Sequence, residues 1–251
     1  MKVAVLGSTG LVGRSLMNIL ARLEQVDSVY CPVRKKPGDE GFPVLASMGV
    51  LQGASKFDFD TVDFSQIFDG TSEAALKIRA GFQGCGAVIC CLGTTIKQAG
   101  SKTEQERVDV RLPLALAAIA KKAGVRNFLC VSAMGADSRS PFFYNRCKGM
   151  LEEGLTMMDF ETLTLVRPSL LLGKHSDRRM GEELMQKFFG GSRAVLVPSF
   201  FRPVYAETVA AHLAASVLKP PMDHVCVTDG VKGKRIIYNR VLAKTKVDQL
   251  F

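Results

Sequence analysis

The chain has 251 residues and a formal net charge of +9, and 47% of its residues are hydrophobic while 23% are charged. This length is sufficient for one large α/β domain with a full core, and the composition is that of an ordinary globular protein. No apolar run reaches the ~18 residues that a transmembrane helix requires, so we expect no membrane span. The positive charge suits an anionic ligand, but no nucleic-acid motif accompanies it, and we expect no nucleic-acid partner.

The cysteines and histidines indicate the redox state of the protein's compartment and whether it binds a metal. The seven cysteines mostly lie in apolar runs and lack the spacing of a zinc site, and the three histidines are scattered. We therefore expect reduced thiols in a reducing compartment and no metal site. The strand pattern that begins at Lys2 has none of the features of a secretory signal, and we expect a cytoplasmic protein.

Strand and helix patterns alternate along the chain. The predicted strands are 2–6, 29–33, a short one ending at 61–64, 86–92, 127–131, 162–166, 195–197 and 224–228. The predicted helices are 11–23, 104–123 with Pro113 as a site for a kink, 142–158, 181–189, 206–218 and 234–243, and residues 35–55 form a loop-rich connection. This alternation predicts a single α/β domain over residues 1–251, with a doubly wound parallel sheet and helices on both faces.

A glycine-rich turn follows the first predicted strand and opens the first predicted helix. It consists of Gly7, Ser8, Thr9, Gly10, Leu11, Val12 and Gly13. Gly7 permits the tight turn, Gly10 lets the backbone approach a pyrophosphate, and Gly13 lets the helix pack closely against the strand. The helix N-terminus then presents N–H groups and a positive dipole to phosphate oxygens. This context predicts a dinucleotide-binding site; the alternative is a glycine-rich turn without a ligand.

The ends of the second and third strands carry residues placed to contact an adenosine. Arg34 follows the second strand, where an acidic residue would bind the ribose of NAD and an arginine accommodates the 2′-phosphate of NADP. Arg34 therefore predicts NADP(H), with a solvated basic turn as the alternative. After the third strand, Asp63 could accept a hydrogen bond from adenine while Phe64 packs nearby, or Asp63 could simply begin a turn.

A second glycine follows the buried strand at 86–92. Gly93 permits close backbone approach to the cofactor, and we expect Leu92 and Thr94 to line the same place. The hydroxyl of Thr94 either contacts the cofactor or caps a turn.

Three polar residues carry the predicted chemistry. Tyr144 and Lys148 are four residues apart on a predicted helix and therefore share a face. A phenol has a pKa of ~10, and a neighbouring ammonium group favours its phenolate. Ser132 ends the strand at 127–131, at the edge where ligands bind, and its hydroxyl could hold a substrate carbonyl. The alternative is a surface tyrosine beside a solvated lysine.

These motifs together resemble the short-chain dehydrogenase/reductase superfamily in its atypical branch, most closely the Tat-interactive oxidoreductase group, also described as NAD(P)H-binding or NmrA-like. The resemblance covers roughly residues 1–220 and rests on the following segments: 7–13, Arg34, 63–64, 90–95, 108–109, Ser132, 135–137, Tyr144, Lys148, 166–168 and 187–190. It implies a Rossmann fold, an NADP(H) site, a catalytic triad of Ser132, Tyr144 and Lys148, and Pro168 near the nicotinamide. In many superfamily members an asparagine completes the proton relay; the corresponding residue here is Asp109.

Three functions remain open at this point. The first is an NADP(H)-dependent oxidoreductase that transfers hydride to or from a small carbonyl or alcohol substrate. The second is an NADPH-binding regulator or scaffold that acts on a protein partner. The third is a sugar-nucleotide epimerase, which usually needs a larger C-terminal region. Residues 169–203 are expected to form the substrate pocket or a lid, by their position after the strand at 162–166.

Overall fold

A computed structural model describes residues 1–35, 53–173, 202–218 and 233–245, together with residues 247 and 250. The helix predicted at 181–189 and the strands predicted at 195–197 and 224–228 lie outside these residues. Most of the expected pocket region, 169–203, also lies outside them.

Seven strands form one parallel sheet, and two short strands form a second one. The strands are β1 (Lys2–Leu6), β2 (Ser28–Val33), β3 (Phe57–Thr61), β4 (Cys85–Cys90), β5 (Asn127–Val131), β6 (Thr162–Arg167), β7 (Leu171–Leu172), β8 (Val204–Tyr205) and β9 (Lys234–Tyr238). The large sheet has the order β3-β2-β1-β4-β5-β6-β9, and β7 pairs with β8. The order reverses between β1 and β4, and such a switch point opens a crevice at the carboxyl ends of the strands, where ligands bind.

Helices cover both faces of this sheet. They are α1 (Leu11–Arg22), α2 (Glu73–Phe82), α3 (Ile96–Ala99), α4 (Lys102–Glu106), α5 (Leu112–Lys122), α6 (Phe143–Met157), α7 (Ala206–Leu218) and α8 (Asn239–Leu242). Residues of α1 and α7 form one core with the sheet, and residues of α2, α5 and α6 form the other. The predicted fold class, a Rossmann-type doubly wound sheet, is therefore confirmed. No helix among the described residues is long and apolar enough to cross a membrane.

The central strands are buried on both faces, which explains their continuous apolar sequence. In β1, Val3 and Val5 pack in the core beneath α1, while Ala4 and Leu6 pack in the opposite core. Side chains alternate between the faces of a strand, so a strand with helices on both sides needs an apolar residue at every position.

Residues 234–238 form the edge strand β9, and the helix predicted over 234–243 is wrong for this segment. Ile236 packs in the core below α6, and its neighbour Ile237 packs in the core below α1. Adjacent residues buried on opposite faces require the two-residue period of a strand. The helical part is confined to α8.

The long helix predicted over 104–123 is interrupted before Pro113. Residues Arg107–Arg111 form a π turn between α4 and α5. Proline lacks the N–H that would bond to the carbonyl four residues earlier, at Asp109, and a change of helical register accommodates the missing bond. Single π turns often occur at functional sites, and this one holds the buried side chain of Asp109.

Helix α2 was not predicted, although its sequence carries the signals of a helix. The side chain of Ser72 caps it by accepting a hydrogen bond from the N–H of Ala75 at 3.2 Å. Ala74, Ala75, Ile78 and Phe82 form its buried face. The third strand also ends earlier than predicted, at Thr61.

The imidazole of His212 is held neutral inside the fold. The side chain is 3% exposed on α7. Its Nε2 lies 3.0 Å from Oγ1 of Thr245, and that hydroxyl donates to the carbonyl of Val241 at 2.9 Å. The hydroxyl therefore accepts a hydrogen bond from the imidazole N–H. Burial lowers the pKa of His212 from 6.5 to about 4.

This burial predicts an acid-sensitive stability. Between pH ~6.5 and pH ~4, His212 is protonated in the unfolded protein but stays neutral in the folded protein. The stabilisation is therefore fully present above pH ~6.5 and is lost as the pH falls toward the folded value, by up to about 3 kcal/mol. We expect His212→Gln to reduce the difference in unfolding free energy between pH 7 and pH 5, measured by denaturant titration. An equal difference in both proteins would contradict a neutral buried imidazole.

Candidate active site

A cavity of about 900 Å³ lies at the carboxyl ends of β1, β2, β3 and β4. The predicted cofactor residues that line it are Gly7, Thr9, Gly10, Arg34, Asp63, Phe64, Leu92, Gly93 and Thr94. These residues come from four separate stretches of the sequence, and the switch point of the sheet brings them together.

The glycine-rich turn has the backbone of a phosphate-binding loop. Gly7 has a φ of +76°, and a Cβ there would lie 3.0 Å from the carbonyl carbon of Cys91. A Cβ on Gly13 would lie 2.1 Å from the carbonyl oxygen of Gly7, so only glycine fits where α1 crosses the turn. Gly10 is the N-cap of α1 and supplies no side-chain cap. The N-terminal amides of α1 are thus available to an anion.

Ser8 and Val12 take different positions around this turn. Ser8 is fully buried, and it supports the loop from within. Val12 is 5% exposed; together with Leu11 it borders a second cavity described below. The sequence analysis assigned separate roles to the three glycines but none to Ser8 and Val12, and neither of these two lines the first cavity.

Asp63 uses most of its hydrogen-bonding capacity within its own loop. Its Oδ1 accepts from the N–H of Ser65 at 2.9 Å and from the hydroxyl at 2.7 Å, and its Oδ2 accepts from Gln66 at 3.0 Å. The hydroxyl and N–H of Ser65 hold the pKa of Asp63 below its usual value. The residue borders the cavity, and its main structural role is to shape the turn after β3.

A second cavity of about 520 Å³ adjoins the first, because both are bordered by Gly10, Leu92, Gly93 and Thr94. Its other walls contain six further predicted site residues and the residues that follow Pro168. They are Leu11, Val12, Ser132, Tyr144, Lys148, Pro168, Ser169, Leu170, Leu171 and Leu172. The predicted catalytic residues therefore lie beside the predicted cofactor residues.

Tyr144 and Lys148 lie one turn apart at the start of α6. Lys148 is 2% exposed and Tyr144 is 42% exposed. The Nζ atom of Lys148 lies 5.8 Å from the centroid of the Tyr144 ring. The lysine is thus a buried cation beneath a tyrosine that is open to the cavity.

A tight loop before α6 fixes this first turn of the helix. Gly135 has a φ of +76°, and the N–H of Asp137 donates to the carbonyl of Asn145 at 3.2 Å. A Cβ on Gly149 would lie 2.0 Å from the backbone nitrogen of Ser138. The loop therefore packs directly on the backbone of α6, which positions Tyr144 and Lys148.

The buried partner of Lys148 is Asp109, which is fully buried in the π turn. Its Oδ1 accepts a hydrogen bond from the N–H of Thr94 at 2.7 Å, and its Oδ2 lies 3.8 Å from Nζ of Lys148. Burial raises the pKa of Asp109, and the ammonium of Lys148 opposes this. Burial alone would lower the pKa of Lys148, but the phenol of Tyr144 and the carboxylate of Asp109 raise it. Opposite charges at this distance keep each other ionised.

The hydroxyl of Ser132 is hydrogen-bonded to a second ion pair, in which Glu152 is buried and Arg167 is half-buried. It donates to Oε1 of Glu152, which also accepts from Nε of Arg167 at 2.9 Å. Ser132 borders the second cavity, but its proton points to Glu152. Sequence reasoning missed Glu152. Its position four residues after Lys148, on the face that carries Tyr144, was the available signal.

Comparison with known proteins identifies the class of this site. A family model described as NAD(P)H-binding matches residues 50–172. The protein named FMP52, mitochondrial, of Meyerozyma guilliermondii is 31% identical over 229 residues, which cover 88% of this chain and 87% of that protein. The chain belongs to the FMP52 family. The rat protein HTATIP2 is 40% identical over 152 residues, which cover 58% of this chain and 61% of that protein. The NAD(P)H-binding family model and the HTATIP2 relative agree with the NAD(P)H-binding group that the motifs resembled.

Solved structures agree with this fold for the FMP52-family chain. The oxidoreductase ylbE from Lactococcus lactis superimposes with a TM-score of 0.63 at 18% identity, over 100% of this chain and 94% of that one. The UDP-glucuronic acid 4-epimerase from Bacillus cereus, in complex with NAD, gives a TM-score of 0.62 at 13% identity, over 95% and 77% of the two chains. At these identities the likeness shows the fold alone.

The expected cytoplasmic location is contradicted by these relatives. The FMP52 proteins of Meyerozyma guilliermondii and Debaryomyces hansenii, and fmp52 of Emericella nidulans, are all named mitochondrial. The expectation rested on the lack of a secretory signal. That observation argues against one export route and does not distinguish the cytoplasm from an organelle.

Proposed function

We propose that this FMP52-family protein is an NADP(H)-dependent oxidoreductase that transfers hydride to or from a small carbonyl or alcohol substrate. One observation carries the proposal: Tyr144 and the buried Lys148 border the same cavity as Gly93 and Pro168, and this cavity adjoins the one at the glycine-rich turn. In this proposal, Tyr144 supplies a proton beside the nicotinamide end of the bound dinucleotide.

The residues at the turn fit a dinucleotide. Gly10 leaves space on its cavity side, since a Cβ there would meet only the carbonyl oxygen of Gly7, at 3.4 Å. The N-terminal amides of α1 would hold the pyrophosphate, Arg34 the 2′-phosphate and Lys148 the nicotinamide ribose. When bound, the nicotinamide supplies or accepts the hydride. Tyr144 donates a proton to the carbonyl oxygen in reduction and takes it back in oxidation.

The preference for NADP(H) is tested by removing the charge of Arg34. This exposed residue borders the cavity at the end of β2. A charge-assisted contact is worth about 1.5–3 kcal/mol, so we expect Arg34→Ala to weaken NADPH binding about ten- to a hundredfold and to leave NADH binding nearly unchanged. Calorimetric titration of both nucleotides measures this. Arg22→Ala removes an equal charge from the exposed end of α1 and serves as the control.

Two results would count against the proposal. Equal loss of NADPH affinity in both variants would assign the effect to net charge and not to a contact with Arg34. The absence of binding of either nucleotide to the unmodified protein would rule out the oxidoreductase itself.

A second candidate function is an NADPH-binding regulator that acts on a protein partner. The bond from Ser132 to Glu152 favours it, because a serine whose proton is engaged cannot donate that proton to a substrate carbonyl. This candidate predicts tight NADPH binding, no turnover across a panel of aldehydes, ketones and alcohols, and a partner affinity that depends on NADPH.

A further inference from the structure

A carboxylate lies next to the lysine that is expected to activate Tyr144. Asp109 is fully buried, and its Oδ2 meets no hydrogen-bond donor among the described residues, although it lies 3.8 Å from Nζ of Lys148. The other oxygen is anchored by the N–H of Thr94 at 2.7 Å. The carboxylate is thus fixed in place and directed at one cation.

The position of Asp109 is built into the backbone. The π turn at Arg107–Arg111 carries it, and Gln105 steadies the facing loop by donating to the carbonyl of Thr94 at 3.2 Å. A Cβ on Gly93 would lie 3.6 Å from Nζ of Lys148 and 3.8 Å from Oδ1 of Asp109, so the ion pair lies close to that glycine. Gly93 lines both cavities, Lys148 lines the second one, and Asp109 is buried next to them.

The charges that face Tyr144 come from three elements. Lys148 and Cys147 lie on its own helix, Asp109 lies in the π turn, and Cys130 lies on β5. A hydrogen bond with Cys90, together with burial, raises the pKa of Cys130. Burial and the nearby carboxylates of Asp109 and Glu106 raise the pKa of Cys147, so both thiols stay protonated at neutral pH. The net charge around the phenol is therefore set by one cation and one anion among the described residues.

We infer that Asp109 is a positioning residue that cancels the charge of Lys148 and so makes Tyr144 a proton donor, which sets the site for carbonyl reduction. In the usual arrangement an uncompensated lysine favours the phenolate, the form that removes a proton from an alcohol. Here desolvation raises the pKa of Tyr144, the lysine lowers it, and the carboxylate raises it again. At physiological pH a neutral phenol can donate a proton to the carbonyl in reduction. Little phenolate is then present to remove a proton from an alcohol, so oxidation is slow.

The proton balance of the reduction is simple. As hydride reaches the carbonyl carbon, the carbonyl oxygen takes the proton from the hydroxyl of Tyr144, and the resulting phenolate recovers a proton from water. The reverse reaction needs the phenolate first, so its rate should rise with pH until Tyr144 has titrated. This consequence for turnover rests on the proposed function; the state of the phenol does not.

The test reads the phenol directly. The chain contains four tyrosines and no tryptophan, so the ultraviolet difference signal of phenolate is not masked by indole. Subtracting the titration of Tyr144→Phe from that of the unmodified protein isolates Tyr144. We expect its midpoint above the ordinary ~10 in the unmodified protein, and about one pH unit lower in Asp109→Asn, which keeps an oxygen for the N–H of Thr94. Glu106→Gln removes a nearby carboxylate outside the site and should leave the midpoint in place.

Each outcome decides the inference separately from the oxidoreductase proposal. A midpoint below ~10 in the unmodified protein overturns it without need of the Asp109 variant. Equal midpoints in Asp109→Asn and the unmodified protein also overturn it and leave Asp109 a structural residue. A lowered midpoint without turnover on any carbonyl sustains the electrostatic role and removes the oxidoreductase. With turnover, Asp109→Asn should speed alcohol oxidation at neutral pH about tenfold, because one unit of pKa gives tenfold more phenolate.

Discussion

Tyr144→Phe is expected to lower the rate of carbonyl reduction about 10²- to 10⁴-fold while changing NADPH affinity little. The magnitude is that of a lost general acid, since the substitution removes only the hydroxyl. The ring keeps its place over Lys148, whose Nζ lies 5.8 Å from the ring centroid. NADPH consumption under saturating substrate gives the rate, and calorimetry gives the affinity.

The matched control removes a hydroxyl elsewhere. Tyr205 is 56% exposed on β8 and lines neither of the two cavities. The Tyr205→Phe variant should therefore have the same rate as the unmodified protein. If Tyr144→Phe kept more than about a tenth of the rate, another group would supply the proton. Loss of a general acid lowers the rate at least about a hundredfold. Loss of NADPH binding in the same variant would instead make Tyr144 a binding residue.

The sequence predicted those parts of the site that depend on local chemistry. A glycine turn between a strand and a helix has few structural alternatives, and residues 7–13 form the expected tight turn between β1 and α1. The spacing of Tyr144 and Lys148 fixes them on one face of α6 by helical geometry alone. The strand order then brings both features to one edge of the sheet, as any doubly wound fold must.

The parts that the sequence did not predict depend on distant contacts. The bond of Ser132 to Glu152, held by Arg167, joins β5, α6 and β6, and no local pattern encodes it. Similarly, β9 was predicted as a helix because its apolar pair, Ile236 and Ile237, is compatible with the periodicity of a helix or of a strand. Pairing with β6 in the sheet decides for the strand. Tertiary pairing decided both cases.

Gly10→Ala and Gly13→Ala are expected to separate the binding role of the glycine turn from its packing role. Gly10 has φ −75° and ψ 175°, which alanine adopts freely, and an added Cβ would only touch the carbonyl oxygen of Gly7 at 3.4 Å. We therefore expect an unchanged melting temperature for Gly10→Ala. The methyl group would occupy the space that the pyrophosphate needs, so NADPH affinity should fall more than about tenfold, which corresponds to about 1.4 kcal/mol.

Gly13→Ala should behave differently, because its Cβ would lie 2.1 Å from the carbonyl oxygen of Gly7 and 2.8 Å from the backbone of Ser8. The contact forces α1 away from the turn, and overpacking of this kind costs about 1–3 kcal/mol of stability in addition to binding. Thermal unfolding with and without NADPH measures both effects.

If Gly10→Ala bound NADPH as tightly as the unmodified protein, the pyrophosphate could not cross the N-terminus of α1, and the phosphate-loop assignment would have to move elsewhere in the cavity. If Gly13→Ala kept full stability, the close approach of α1 to the turn would not be what requires glycine there.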